Sequence, residues 1–145
     1  AKNVRTARDK ASEVLEFAGL WEKRDQLGGS LTIADRKRLE IAKALATEPK
    51  LLLLDEVMAG LNPAEIEQAI AFIHKIRDSG ITIFLIEHVM TVIMSLSQRI
   101  AILHYGEKIG EGPPEVISKD PKVIEAYLGE EFTLDDTEGI AAPAQ

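Results

Sequence analysis

The sequence predicts an α/β fold with parallel strands, and three stretches carry that expectation. Leu51 to Leu54 are four consecutive leucines. The run is too short for an amphipathic helix and does not alternate, so it reads as a strand covered on both faces, inside a parallel sheet. Ile81-Thr82-Ile83-Phe84-Leu85-Ile86 is a second strand-like run, rich in β-branched residues. Between them Ile66, Ala69, Ile70, Ile73 and Ile76 recur at helical spacing. Strand, helix and strand over residues 51–86 form a βαβ unit, a crossover that is almost always right-handed.

The remaining elements fall on either side of that unit. Val4, Ala7, Ala11, Val14, Leu15 and Ala18 give one helical stripe, closed by Gly19 as a C′ residue, with Trp21 as a packing anchor. Gly28-Gly29-Ser30 reads as a flexible break. Thr32 and Asp35 have capping-box spacing, with Asp in place of Glu, and open a helix reaching to about Thr47. Arg36, Lys37 and Arg38 read as its solvated face. Asn62 and Pro63 suit the N-cap and first position of the central helix, Glu65 its first turn, and Ser79-Gly80 its end. After the second strand come a short helix over Met90 to Leu96 and a hairpin. Its strands are Arg99 to His104 and Lys108 to Glu111, turning at Tyr105-Gly106-Glu107. Brief helices follow at Glu115 to Ser118 and after Asp120-Pro121, the latter presenting Val123, Ile124, Tyr127 and Leu128. Residues 130–145 lack period and read as a flexible acidic tail.

Composition narrows the function classes. The 145 residues suffice for one ordinary domain, and no apolar run approaches a membrane span. Cysteine is absent, which excludes disulfides and thiolate metal sites. A net charge of −7 disfavours a phosphate-backbone partner, so no nucleic acid is expected.

Chemistry is concentrated where the first strand ends, at Asp55-Glu56. Ligands of open α/β sheets gather at the carboxyl ends of strands. An apolar strand closing in two carboxylates is the Walker B arrangement, in which the first acid helps hold Mg²⁺ and the second orients or deprotonates a water. The bland alternative is two solvated acids at a strand exit. His88 follows the second strand, and by itself it would read as a histidine bonded to backbone.

The order of these parts resembles the C-terminal half of an ATP-binding-cassette (ABC) ATPase over residues 4–129. More narrowly it is similar to the ATPase subunits of branched-chain amino-acid importers, through Arg38-Leu39-Glu40-Ile41-Ala42, Ala59-Gly60-Leu61-Asn62-Pro63, Ile86-Glu87-His88 and Ala126-Tyr127-Leu128-Gly129. The resemblance implies a partial P-loop NTPase fold without its Walker A strand. It assigns residues 1–48 to the helical signature subdomain, 49–129 to the C-terminal part of the ATPase core, and 130–145 to a tail. It implies that Asp55 acts on Mg²⁺ through water, that Glu56 polarises the attacking water, and that His88 is the switch touching the γ-phosphate. Ala59, Gly60, Leu61 and Asn62 fall at the D-loop, which crosses the dimer interface. Leu31, Thr32, Ile33, Ala34 and Asp35 fall at the signature, which meets ATP in trans. The implied cofactors are ATP and Mg²⁺. The implied partners are a second ABC ATPase subunit and transmembrane permease subunits, at the inner face of the cell membrane.

The sequence departs from the family in two places. The signature pattern is Leu-Ser-Gly-Gly-Gln, whereas Ile33 and Ala34 carry Cβ atoms at the glycine positions and Asp35 brings negative charge. Val57 stands where a proline often follows the glutamate. No Gly-x-x-x-x-Gly-Lys-Ser/Thr phosphate loop occurs in the 145 residues. The chain is therefore expected to be a fragment that does not hydrolyse ATP alone. An open apolar edge on the Leu51 strand, and self-association through it, are expected too. Two other readings compete: a non-catalytic interaction module that kept the fold, and a fragment of an ABC-type DNA-repair ATPase. The latter lacks its heptad arms and basic surface here.

Overall fold

A computed structural model of the protein describes residues 2–127. Residues 128–145, with the expected Leu128-Gly129 helix end and acidic tail, lie outside the described residues. Two units are distinguished, Ala1–Leu96 and Ser97–Gln145.

In the first unit the order is α1 (Lys2–Phe17), α2 (Ile33–Leu45), β1 (Leu51–Asp55), α3 (Pro63–Asp78), β2 (Thr82–Ile86) and α4 (Met90–Leu96). β1 and β2 pair in parallel, Leu51 opposite Thr82 through to Asp55 opposite Ile86, with α3 as the crossover. The βαβ unit read from the apolar runs is present. Its core gathers Ala18 and Leu20 after α1, Ile41, Ala42 and Leu45 of α2, and Leu52 and Leu54 of β1. Met58 after β1, Phe72, Ile73 and Ile76 of α3 and Val92 of α4 complete it.

One expectation about the strands fails. Four leucines in a row suggested cover on both faces, but Leu52 is 4% exposed while Leu51 is 53% and Leu53 67% exposed. β2 repeats the pattern, with Phe84 at 58% and Ile86 at 54% exposed. All of the helical packing falls on one side, so alternate side chains, which point to opposite faces, divide between core and surface. The open edge is also shared. Among the described residues the sheet has two strands, each with one unpaired side, so β2 carries a free edge as well as β1.

The helices follow their caps. α1 ends with Gly19 at φ 69°, and the Leu20 N–H reaches the Leu15 carbonyl at 2.8 Å, the bond pattern of a Schellman turn. Val4, Ala7 and Ala11 are exposed, so only the second half of its stripe packs. Trp21 begins a 3-10 turn and stacks under Arg24, whose guanidinium carbon lies 4.3 Å from the ring centroid. Gly28 to Ser30 also form a 3-10 turn rather than a loose break, closed by the Ser30 hydroxyl on the Leu27 carbonyl at 2.7 Å.

The expected capping box on α2 is only half made. Thr32 Oγ1 accepts the Asp35 N–H at 3.1 Å, but the Asp35 carboxylate takes the Thr32 hydroxyl at 2.9 Å instead of the cap's backbone N–H. Asp is one methylene shorter than the Glu of a true box. The complete box belongs to α3, where Asn62 Oδ1 accepts from Glu65 N–H at 3.0 Å and Glu65 Oε2 accepts from Asn62 N–H at 2.9 Å.

The second unit holds β3 (Ile100–His104), β4 (Glu107–Gly112), α5 (Pro114–Ile117) and α6 (Pro121–Tyr127). The strands form the expected antiparallel hairpin, turning at Tyr105 and Gly106, both at positive φ (47° and 82°), as a type I′ turn requires. A bulge interrupts the register between Ile102 and Leu103. Ile100, Ile102, Ile117 and Val123 are buried. Gly110 lets α5 and α6 approach β4: a Cβ there would stand 3.1 Å from Val123 Cγ2 and 3.4 Å from Ile117 Cδ1.

Candidate functional site

The parallel register brings the C-terminal ends of β1 and β2 side by side, and the candidate chemistry sits there. Asp55 is the last residue of β1 and opposes Ile86, the last of β2. The ladder continues one step further, as the Glu56 N–H donates to the Ile86 carbonyl at 2.9 Å. That bond fixes Glu56 beside the residues following β2. Its carboxylate lies 3.6 Å from His88 Nδ1, Oε1 to nitrogen, with both side chains largely exposed. The acid and the imidazole, 32 positions apart in sequence, thus stand on the same side of the sheet.

Glu56 has φ 45°, in the left-handed region, which costs a non-glycine residue about 1–2 kcal/mol. The backbone is held there from three directions. Besides the bond to Ile86, the Glu56 carbonyl accepts from Ala59 N–H at 3.2 Å and from Lys37 Nζ at 3.2 Å. Lys37 was read as part of a solvated basic face; instead it reaches from α2 to the acid. Its neighbour Arg38 also faces inward, with its guanidinium carbon 5.7 Å from the Phe72 ring centroid. Basic residues at adjacent helix positions point in different directions, so a linear cluster does not define a surface.

Ala59, Gly60, Leu61 and Asn62 form the tight connection to α3. Met58 is 2% exposed, Leu61 N–H donates to its carbonyl at 3.2 Å, and Gly60 takes φ 79°, which glycine adopts without steric cost. Asn62 then caps α3. The Met58 N–H donates to Glu87 Oε1 at 3.0 Å. Glu87 therefore ties this connection to the residue immediately before His88. Sequence named Glu87 only within the Ile86-Glu87-His88 stretch and Lys37 only within a basic triplet, and gave neither this role, because each acts on backbone groups distant in the chain.

Leu31 to Asp35 gather at the start of α2. Leu31 and Asp35 are buried, while Thr32 and Ile33 are exposed. Asp35 pairs with Lys23 of the 3-10 turn that Trp21 begins. Burial raises its pKa, but the hydrogen bonds from Lys23 and Thr32 and the charges of Lys23 and Arg38 outweigh that, leaving it below the ordinary carboxylate value. The negative charge expected to face a ligand is turned toward Lys23 instead. Among the described residues no hydrogen bond or ion pair joins Leu31–Asp35 to Asp55, Glu56 or His88.

Among the described residues no cluster of three or more His, Asp or Glu side chains suits a metal ion. No described helix is long and apolar enough to cross a membrane.

Residues 1–59 match the family described as ABC transporter, and residues 107–133 the family described as branched-chain amino acid ATP-binding cassette transporter. The chain is thus similar to the ATP-binding subunits of ABC transporters. Among relatives of known name, the high-affinity branched-chain amino acid transport ATP-binding protein BraF of Pseudomonas aeruginosa is 41% identical, over 89% of this chain and 51% of its own length. LivG of Escherichia coli, of the same description, is 42% identical over 86% of this chain and 49% of its own. The lipopolysaccharide export ATP-binding protein LptB of Escherichia coli is 37% identical over 87% and 52%. Among solved structures, an ATP-binding cassette of an ABC transporter in its ADP conformation superposes with TM-score 0.79 at 31% identity, covering 86% of this chain and 51% of that one. A nucleotide-free ATP-binding cassette gives 0.77, also at 31%. The chain spans about half the length of the curated relatives it matches, and its fold is part of the ABC ATPase fold.

Proposed function

We propose that this chain is the C-terminal half of an ATPase subunit whose ATP binding and hydrolysis drive branched-chain amino-acid import. The observation that carries the reading is the 3.6 Å approach of the Glu56 carboxylate to the His88 imidazole at the ends of adjacent parallel strands. An acid and an imidazole so placed suit a terminal phosphate and the water that attacks it: Glu56 takes the proton of the water and His88 holds the phosphate oxygen. Mg²⁺ supplies charge neutralisation when the phosphate-loop half is present, and Asp55 is this chain's contribution to holding it, through water. Residues 1–48 serve as signature subdomain, 49–129 as the remainder of this half of the core, and 130–145 as a tail. A second ATPase subunit and a permease at the inner membrane face are the partners. Ala59 to Asn62 lie at the subunit boundary, and Leu31 to Asp35 meet ATP across it.

The test is ATP hydrolysis by the chain alone and co-folded with the phosphate-loop part of a relative. We expect none from the chain alone. In the assembly we expect Glu56→Gln to lower kcat by about two orders of magnitude or more, the scale of a lost general base. Hydrolysis by the assembly that Glu56→Gln leaves unchanged would refute the assignment. A second reading, a non-catalytic module, is favoured by Ile33 and Ala34 at the signature's glycine positions. An assembly that binds ATP but never hydrolyses it would support that reading instead.

A further inference from the structure

We infer that Glu87 is a positioning residue that locks the Met58–Asn62 connection to the residues carrying His88, so that the loop and the switch histidine move as one piece. The inference rests on the ATPase reading for its consequence, though not for its geometry. Two cross-links join the chain after β1 to the chain after β2. The first is the backbone bond from Glu56 N–H to the Ile86 carbonyl at 2.9 Å. The second, two residues further along one segment and one along the other, is the Glu87 carboxylate on the Met58 N–H at 3.0 Å. Here a side chain takes over where the parallel ladder stops. It binds a backbone donor that is 2% exposed at the residue level and so has little access to water as a replacement acceptor.

The carboxylate has its own unusual feature. Glu87 Oε2 is enclosed and has no hydrogen-bond partner among the described residues. An acid half-withdrawn from water for a single backbone bond is an expensive way to tether a loop. Downstream of it Leu61 N–H closes onto the Met58 carbonyl and Asn62 opens α3. Holding Met58 therefore sets where Ala59 to Asn62 sit relative to the imidazole next door to Glu87. Among the described residues the side chain makes no hydrogen bond or ion pair with Glu56 or His88. Its action passes through backbone.

The experiment compares Glu87→Gln, which keeps an acceptor oxygen at the same reach, with Glu87→Asp, which keeps the charge but falls one methylene short. In amide hydrogen exchange on the full chain, Met58 protection should fall about tenfold or more in Glu87→Asp. It should be largely retained in Glu87→Gln, with the Glu56 and Ile76 amides unchanged in both. In the ATP-hydrolysing assembly, Glu87→Asp should lower kcat several-fold with KM for ATP little changed, and Glu87→Gln should restore most of it. Equal Met58 protection in all three proteins would overturn the tether. Lost Met58 protection with undiminished kcat would overturn its positioning role. An assembly inactive even with the native sequence counts against the ATPase reading alone, since the exchange result still decides the tether.

Discussion

Leu52 and Leu53 are neighbours of the same type in the same strand, yet the structure assigns them opposite energetic weights. Leu52 is 4% exposed, against α-helical packing; Leu53 is 67% exposed on the uncovered face. Leu→Ala removes three carbons' worth of apolar side chain, and at a buried site the transfer and cavity terms together cost about 2–5 kcal/mol. At Leu53 only about a third of the residue is covered and no cavity forms, which reduces the cost to about 0.8 kcal/mol at about 0.8 kcal/mol per methylene. With a urea m-value of about 2 kcal/mol/M for a chain of this size, Leu52→Ala should lower the midpoint by about 1–2.5 M and Leu53→Ala by about 0.4 M or less. Equilibrium urea unfolding followed by far-UV circular dichroism measures both. The comparison should be run at two protein concentrations, because Leu51, Leu53, Phe84 and Ile86 form an exposed apolar face beside the strand edge through which self-association is expected. Association there would make the Leu53→Ala cost rise with concentration. Equal, concentration-independent losses at both positions would refute one-sided burial.

Three further outcomes follow from particular contacts. Asn62→Ala removes the reciprocal cap of α3 and should cost about 1 kcal/mol in the same urea experiment, whereas Asn62→Gly should cost only a few tenths. The folded pKa of Asp35 lies below its ordinary value of 3.8, so its pairing stabilises the protein fully above that pH and is lost as pH falls below it. Lys23→Gln should therefore flatten the acid limb of a stability–pH curve below about pH 4 and leave its neutral region less stable; an unchanged acid limb would show that the pair contributes nothing. Lys37→Met should weaken the grip on the Glu56 backbone, and in the ATP-hydrolysing assembly lower kcat more than it raises KM.

Much of this molecule is legible in its sequence because the signals are local. The leucine run, the β-branched run and the helical stripe between them state a βαβ unit in the periods of their own side chains. Asn62-Pro63 and Tyr105-Gly106 name their cap and turn through backbone preferences of those residue types. Asp55 and Glu56 could be singled out because strand ends are where parallel sheets place chemistry, whereas His88 owed its reading to the resemblance. Other features depended on contacts between distant segments. Nothing in Leu51 to Leu54 says that one face would be bare, since burial is decided by what packs against a strand and not by the strand's own residues. The basic triplet on α2 likewise gave no sign that Lys37 would reach a carbonyl 19 residues away. Glu87 stands in the Ile86-Glu87-His88 stretch, but its partner could not be read there: it is a backbone N–H, which every residue but proline possesses. Sequence alone determined which segments become strands and helices, because that choice is local. Tertiary structure alone decided which side of the sheet is covered and which side chains brace the acid, because those are meetings of surfaces far apart along the chain.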